Sequence, residues 1–271
     1  HSGNDACIAI AEAISGTENE FAKDMNKMAK NLGLINSSFT NSTGWPDKDH
    51  YMSAVDLINI ASRIRTEFPF YYKYFSEKNF TWNNIKQENR NPLLQKGLGA
   101  DGFKTGHTEE AGYGLVGSAK RGNRRVTFII SGLKTNNERT IEAEKILNWA
   151  YRDFKAKRIV KKNQIIGRVP VWLGKKKDVA VVSNEDIFVT LPISQTSTIK
   201  TIISYRQPME APFDVGQKTP AKLKIVYTAD SKNISKEYNL LASESSQTGS
   251  FLTRISATLI IFKNHIKSFV Q

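Results

Sequence analysis

An α+β protein built in two parts is predicted, and three observations carry the prediction. Up to about residue 155, helical periodicity comes first and strand patterns follow. From Ile159 onward the apolar residues fall in short β-branched runs separated by turn residues. Charge shifts at the same place: residues 1–150 carry 19 basic and 17 acidic side chains, residues 151–271 carry 20 and 9. That asymmetry marks a domain boundary near residue 155. With 271 residues and 39% hydrophobic content, the chain has enough apolar material for a packed core.

The elements follow in order. Asn4 and Asp5 are placed to cap a helix through Ile8, Ile10 and Ile14. Thr17 and Glu20 have capping-box spacing ahead of Phe21, Met25, Met28 and Leu32, and Gly33 closes that second helix. Asn41 to Pro46 reads as a turn-rich loop. Ser53 and Asp56 open a third helix with Leu57, Ile60, Ala61 and Ile64 on one face. Asn79 to Gly102, rich in Asn, Gly and Pro, is expected to be loop. Strands are expected at Tyr113–Ala119 and Val126–Leu133, joined by a basic Gly-Asn turn, and a long helix at Glu138–Phe154.

Beyond it, the runs at Val169–Trp172, Val179–Val182, Ile187–Leu191, Ile199–Tyr205 and Leu223–Tyr227 predict a small β domain. Glu237–Thr248 is polar and Ser-rich and reads as a linker. In the tail, Leu252, Ile255, Leu259, Phe262, Ile266 and Phe269 recur at helical spacing beside Arg254, Lys263 and Lys267. This is an amphipathic helix, too polar to span a bilayer, that suits a membrane interface or a protein surface. The expected division is therefore 1–155, 156–240 and 241–271.

Composition narrows the chemistry. No stretch approaches the roughly 20 apolar residues of a spanning helix. A single cysteine, Cys7, excludes an intramolecular disulfide and a multi-cysteine zinc site, and no metal or cofactor is called for. The net charge of +13 invites an anionic partner such as nucleic acid, a lipid surface or a wall polymer. Nucleic acid is the weakest of these, because the basic half lacks interleaved aromatics on a recognisable binding fold.

Two short motifs bear on function. Ser2-Gly3-Asn4 precedes the first helix, and Lys104-Thr105-Gly106 lies just before the strand at Tyr113. Each alone is a weak signal; Ser2 and Asn4 also suit plain helix capping. Together, in this order, they match S-x-N and K-T-G of the serine penicillin-recognising enzymes. The likeness widens with Ser-Gly-Asn-Asp-Ala-Cys at 2–7, Met-Asn at 25–26 with Leu-Gly at 32–33, and Asn-Arg-Asn at 89–91. It continues in Asp-Gly-Phe-Lys-Thr-Gly-His-Thr at 101–108 and Ala-Gly-Tyr at 111–113. On these residues the chain resembles the low-molecular-mass penicillin-binding proteins that act as D-alanyl-D-alanine carboxypeptidases.

That resemblance implies a penicillin-binding, β-lactamase-like transpeptidase domain, then a small all-β domain and an amphipathic anchor helix. It also implies roles. Ser2 would relay a proton to the leaving nitrogen and Asn4 would hold the substrate's amide carbonyl. Lys104 would supply positive potential, while Thr105 and Arg90 would meet the terminal carboxylate. The backbone N–H of His107 would serve the oxyanion, and the strand through Gly106 would bind peptide by strand addition. The expected partners are peptidoglycan stem peptides, β-lactams and a membrane surface. The expected location is peripheral, on the periplasmic face of the bacterial inner membrane.

One part of the family pattern is missing. The nucleophile-bearing S-x-x-K belongs upstream of S-x-N, and Ser2 is the second residue of this sequence. Two later S-x-x-K strings, Ser131–Lys134 and Ser197–Lys200, lack the helix-start setting and are read as chance. The nucleophile is expected to lie ahead of His1; a non-catalytic module that holds stem peptide or tethers to membrane is the alternative.

Overall fold

The computed structural model describes residues 1–194, 198–229 and 232–250. The chain divides into two compact units, His1–Arg152 and a second beginning at Asp153.

In the first unit, α1 (Asn4–Ser15) is followed by α2 (Glu18–Asn31). Asn4 and Asp5 do not cap α1: Gly3 holds the N-cap position without a side-chain bond, and Asn4 is already helical. α2 starts as its spacing predicts, with Thr17 accepting from the Glu20 N–H at 3.2 Å. It ends in a Schellman turn, Leu34 N–H to the Ala29 carbonyl and Gly33 N–H to that of Lys30, which needs the positive φ of Gly33 (74°). A two-stranded pair, β1 (Ser37–Ser38) with β2 (Tyr51–Met52), brackets the Asn41 loop. α3 (Ala54–Glu67) is capped by Ser53. The buried Asp56 on its first turn accepts from Asn36 N–H and the Ser37 hydroxyl, which ties β1 to α3. The short α4 (Pro69–Tyr72) comes next.

Asn79–Gly102 is not the loop expected from its composition. It holds a hairpin of β3 (Asn79–Trp82) and β4 (Ile85–Glu88) around Asn83 and Asn84, both at positive φ. Asparagine tolerates that conformation, so Asn-Asn serves as a two-residue turn where glycine would be the usual marker. The antiparallel sheet β5 (Ala100–Thr108), β6 (Gly112–Arg121), β7 (Arg124–Leu133) has the order β5-β6-β7. K-T-G therefore lies inside a strand rather than ahead of one. Leu115, Ala119 and Phe128 of this sheet pack with Leu93 and with Ala143 and Leu147 of α5 (Asn136–Asp153). Ala61, Tyr72 and Phe103 form a second cluster that joins α3 and α4 to β5.

The second unit is all β: β8 (Phe154–Val160), β9 (Ile165–Trp172), β10 (Asp178–Val182), β11 (Ile187–Pro192), β12 (Ile199–Tyr205), β13 (Met209–Glu210), β14 (Lys218–Ala229) and β15 (Lys232–Ala242). Six strands form one sheet in the order β12-β14-β15-β10-β9-β13, and β8 pairs with β11. Val169, Val179, Val181, Leu223, Ile225 and Leu240 are fully buried between them. Here the linker reading of Glu237–Thr248 fails. Residues up to Ala242 form the end of β15, and the next residues stay pinned to the sheet through Phe213–Ser246 and Gly174–Thr248 bridges. Serine and glutamate can stand at exposed strand positions, so polarity alone did not signal a linker. Part of the basic excess is matched locally, with Arg168 bonded to Asp178 and Glu244, Lys176 to Glu244, and Arg158 to Asp186. The amphipathic tail, 251–271, lies outside the described residues.

Candidate active site around the K-T-G strand

β5 is an edge strand, paired only with β6 among the described strands, in the register Lys104–Val116, Thr105–Leu115, Gly106–Gly114. Across its edge stands the segment leading into α1. The Lys104 ammonium donates to the Ser2 hydroxyl at 2.7 Å and to its neighbour's carbonyl, Thr105, at 2.6 Å. S-x-N and K-T-G, 102 residues apart in the chain, thus share a direct hydrogen bond.

Asn-Arg-Asn brings in the next side chain. Asn89 donates its amide to the Glu77 carbonyl (2.9 Å) and accepts from Asn91 N–H (2.9 Å). Asn91, only 2% exposed, donates to the Gly102 carbonyl on β5 (3.0 Å) and accepts from Leu93 N–H. Two asparagines therefore staple this turn to the start of the K-T-G strand, and Arg90 sits between them. A cavity of about 200 Å³ is lined by Tyr74, Phe75, Asn89, Arg90, Phe103, Lys104 and Thr105. Lys104, Thr105 and Arg90 share its wall. Asn4 stands two residues beyond Ser2 on the first turn of α1, with no hydrogen bond to the other motif residues. Gly106 and His107 continue β5 past the cavity, and the His107 ring packs on Tyr113 at 4.0 Å between centroids.

A further cation was not legible in the sequence. Arg139, on the first turn of α5, is 5% exposed. It donates to the Asn136 side chain (2.6 Å) and reaches the Gly106 and Gly114 carbonyls at 3.5 Å, and it lies 5.5 Å from the Tyr113 ring centre. In sequence it is one more charged residue opening a helix; only the packing of α5 on the sheet brings it to K-T-G.

The electrostatics follow from this grouping. Burial pushes the Lys104 ammonium below its ordinary pKa, and Arg90 and Arg139 push the same way against a small opposing pull from Cys7. Arg139 is lowered by burial too, with Arg90 adding to it. Like charges at short range favour a bound anion. The cavity offers a carboxylate two cations, Lys104 and Arg90, and Thr105, with the buried Arg139 adding positive potential, next to a serine hydroxyl that already accepts from a lysine.

Ser131 lies within β7, not at a helix start, and Ser197 falls outside the described residues. Neither is placed as a nucleophile by any described contact.

Comparison with known proteins agrees with the fold and the motifs. Residues 1–135 match the D-alanyl-D-alanine carboxypeptidase family, and residues 154–248 match the C-terminal domain of penicillin-binding protein 5. The chain is 37% identical to the D-alanyl-D-alanine carboxypeptidase DacA of Haemophilus influenzae over 253 residues, 92% of this chain and 64% of that protein. It therefore spans somewhat under two thirds of that relative's length. The crystal structure of penicillin-binding protein 5 from Haemophilus influenzae superposes with a TM-score of 0.74 at 37% identity, covering 91% of this chain and 71% of that one. Penicillin-binding protein D2 of Listeria monocytogenes, solved with cefotaxime bound, is similar at 32% identity and a TM-score of 0.52 over 56% of this chain and 62% of that one. The fold is the α+β fold of the penicillin-binding proteins, followed by a β-rich domain. This chain belongs to the D-alanyl-D-alanine carboxypeptidase family.

Proposed function

We propose that this chain supplies the substrate-holding side of a serine-type D-Ala-D-Ala carboxypeptidase that removes the terminal D-alanine from peptidoglycan stem peptides. The observation that carries the reading is the 2.7 Å Lys104–Ser2 bond beside a pocket that also presents Arg90 and Thr105.

In this reading the substrate's terminal carboxylate lies against Thr105, Arg90 and Arg139. The peptide runs along the β5 edge and adds to the sheet. Asn4 holds the amide carbonyl, and the His107 backbone N–H faces the developing oxyanion. The serine of an S-x-x-K segment attacks the scissile carbonyl carbon and gives its proton to the lysine of that motif. Collapse breaks the C–N bond. Ser2, hydrogen-bonded to Lys104, relays the proton held by the S-x-x-K lysine to the leaving D-alanine nitrogen, giving up its own and taking that one. Water then hydrolyses the ester and restores the serine. Lys104 keeps this corner positive and holds the Ser2 hydroxyl in place. A β-lactam would acylate the same serine. The reading places the protein at the periplasmic face of the inner membrane, attached through the 251–271 segment, with no nucleic-acid partner.

Intact-mass spectrometry after incubation with a fluorescent penicillin tests this. The chain as given should take up no adduct. The same chain extended by a family S-x-x-K segment should gain one penicillin mass at that segment's serine, and should release D-alanine from a stem pentapeptide. An adduct on any serine of the present chain overturns the assignment of the nucleophile. Failure of the extended protein to acylate overturns the carboxypeptidase reading in favour of a peptide-holding module.

A further inference from the structure

The loop between β1 and β2 is tied at its base by a histidine. His50, directly before β2, takes the Thr40 backbone N–H on its ring Nδ1 at 3.2 Å, and the Thr40 hydroxyl stands 3.3 Å from the same nitrogen. The Phe39 ring meets the imidazole edge-on at 5.7 Å between centroids, and the His50 backbone N–H donates to the Asp47 carbonyl at 3.0 Å. The turn above this base is made separately. Asn41 Oδ1 accepts from the N–H groups of Thr43, Gly44 and Trp45, and the Asn41 amide donates to the Trp45 carbonyl. The Thr40–His50 contact therefore governs how that turn, with its exposed Trp45, joins the strands.

One proton decides the chemistry of the base. A backbone N–H only donates, so Nδ1 must carry the lone pair, and the neutral ring has its hydrogen on Nε2. Protonation puts a hydrogen on Nδ1. The Thr40 hydroxyl oxygen can accept it, but the Thr40 N–H is left facing a donor. Burial holds His50 below its ordinary pKa, and the Asp47 carboxylate offsets only part of this. A lowered pKa means that the closed base is fully favoured above about pH 6.5 and loses that contribution as pH falls through the lower value. From α2, Glu18 grips the other side of the loop, accepting from the Ser42 N–H (3.0 Å) and hydroxyl (2.6 Å). Those bonds hold the Glu18 carboxyl below its ordinary range, so it stays ionised while His50 titrates.

We propose that His50 is an acid-sensitive latch on the 41–49 loop: neutral, it closes the base by accepting the Thr40 N–H, and protonated, it releases Thr40 and loosens the loop that carries Trp45.

The test follows the full chain by NMR between about pH 7.5 and 5, the range in which histidine changes charge. His50 should show the Nε2–H tautomer at the upper end. Thr40 amide protection, corrected for intrinsic exchange, should fall at least about threefold, the factor for losing one modest hydrogen bond, with the midpoint of the His50 titration. Trp45 resonances should shift with that midpoint. His50→Gln keeps a side-chain oxygen for the Thr40 N–H at every pH and should hold the protection constant; circular dichroism checks its fold. An Nδ1–H tautomer, Thr40 protection that ignores the His50 titration, or the same loss in His50→Gln overturns the latch. Should the glutamine variant not fold, the two wild-type midpoints decide alone: coincidence supports the latch and separation refutes it. Neither turnover nor acylation is read, so this result stands or falls independently of the carboxypeptidase reading.

Discussion

Replacing Arg125 with methionine is expected to destabilise the first unit by about 2–3 kcal/mol. Arg125 grips Asp101 with both guanidinium nitrogens at 2.7 Å, and Asp101 also accepts from the Tyr72 hydroxyl at 2.7 Å. Arg125 donates to Ser118 as well, at 2.6 Å. Bidentate, charge-assisted bonds are the strong kind, and removing one partner leaves a desolvated carboxylate behind. The two side chains are 21% and 29% exposed, so the value is set below that for fully buried pairs. For a unit of this size it corresponds to roughly 5–12 °C in Tm. Calorimetry of the full chain and of Arg125→Met, Asp101→Asn and the double variant measures it. The double variant should lose at least about 1 kcal/mol less than the sum of the singles. The pH dependence gives an independent check. Burial raises the Asp101 pKa, but hydrogen bonds from Arg125 and Tyr72 outweigh it and hold the carboxyl below its ordinary value. A depressed carboxylate contributes stability that is complete above its unfolded pKa, about 4, and is lost as pH falls through the lower folded value. The gap between wild type and Arg125→Met should therefore close as pH falls below about 4. Additive singles, or a gap that widens in acid, would refute the reasoning.

Asn91→Ala should cost about 2–3 kcal/mol, since it strands the Gly102 carbonyl and Leu93 N–H, and in the extended, acylating protein it should slow penicillin uptake by moving Arg90. A slowed uptake at unchanged β-lactam affinity would instead place the effect away from the pocket. Gly117→Ala puts a methyl 2.3 Å from the Phe128 ring and should destabilise by about 1–3 kcal/mol in urea unfolding; an unchanged midpoint would show that the ring can step aside. The full chain should pellet with anionic vesicles and a chain ending at Gln247 should not; equal pelleting of the two removes the anchor reading of 251–271.

Where local chemistry decides the backbone, the sequence was legible. Thr17 with Glu20, Gly33, and Ser53 with Asp56 each name a helix end by hydrogen bonds within a few residues. The β-branched runs of the second unit announce strands for the same reason. Legibility drops where the deciding partner is distant. Asn83-Asn84 makes a hairpin only because β3 and β4 pair, and Lys232–Ala242 is a strand because β14 and β10 flank it. At the site, the two motifs could be read as sequence strings, and their 2.7 Å meeting agrees with the pairing they implied. Arg139 could not, because a helix-opening arginine is ordinarily solvated and only tertiary packing buries it.

That arginine has a thermodynamic consequence. α5 begins at Asn136, so Arg139 lies at the positive end of its dipole, an end that disfavours cations, and Lys104 and Arg90 lie near enough to act on one another. Folding this unit thus works against a local accumulation of positive charge. Any anion that binds among these groups lowers the free energy of the native state alone. By linkage, it must raise the unfolding temperature in step with its concentration. Chloride, sulfate, acetate and D-alanine should then rank by their fit to Lys104 and Arg90 at the cavity wall, and heat stability becomes a gauge of site occupancy that requires no turnover.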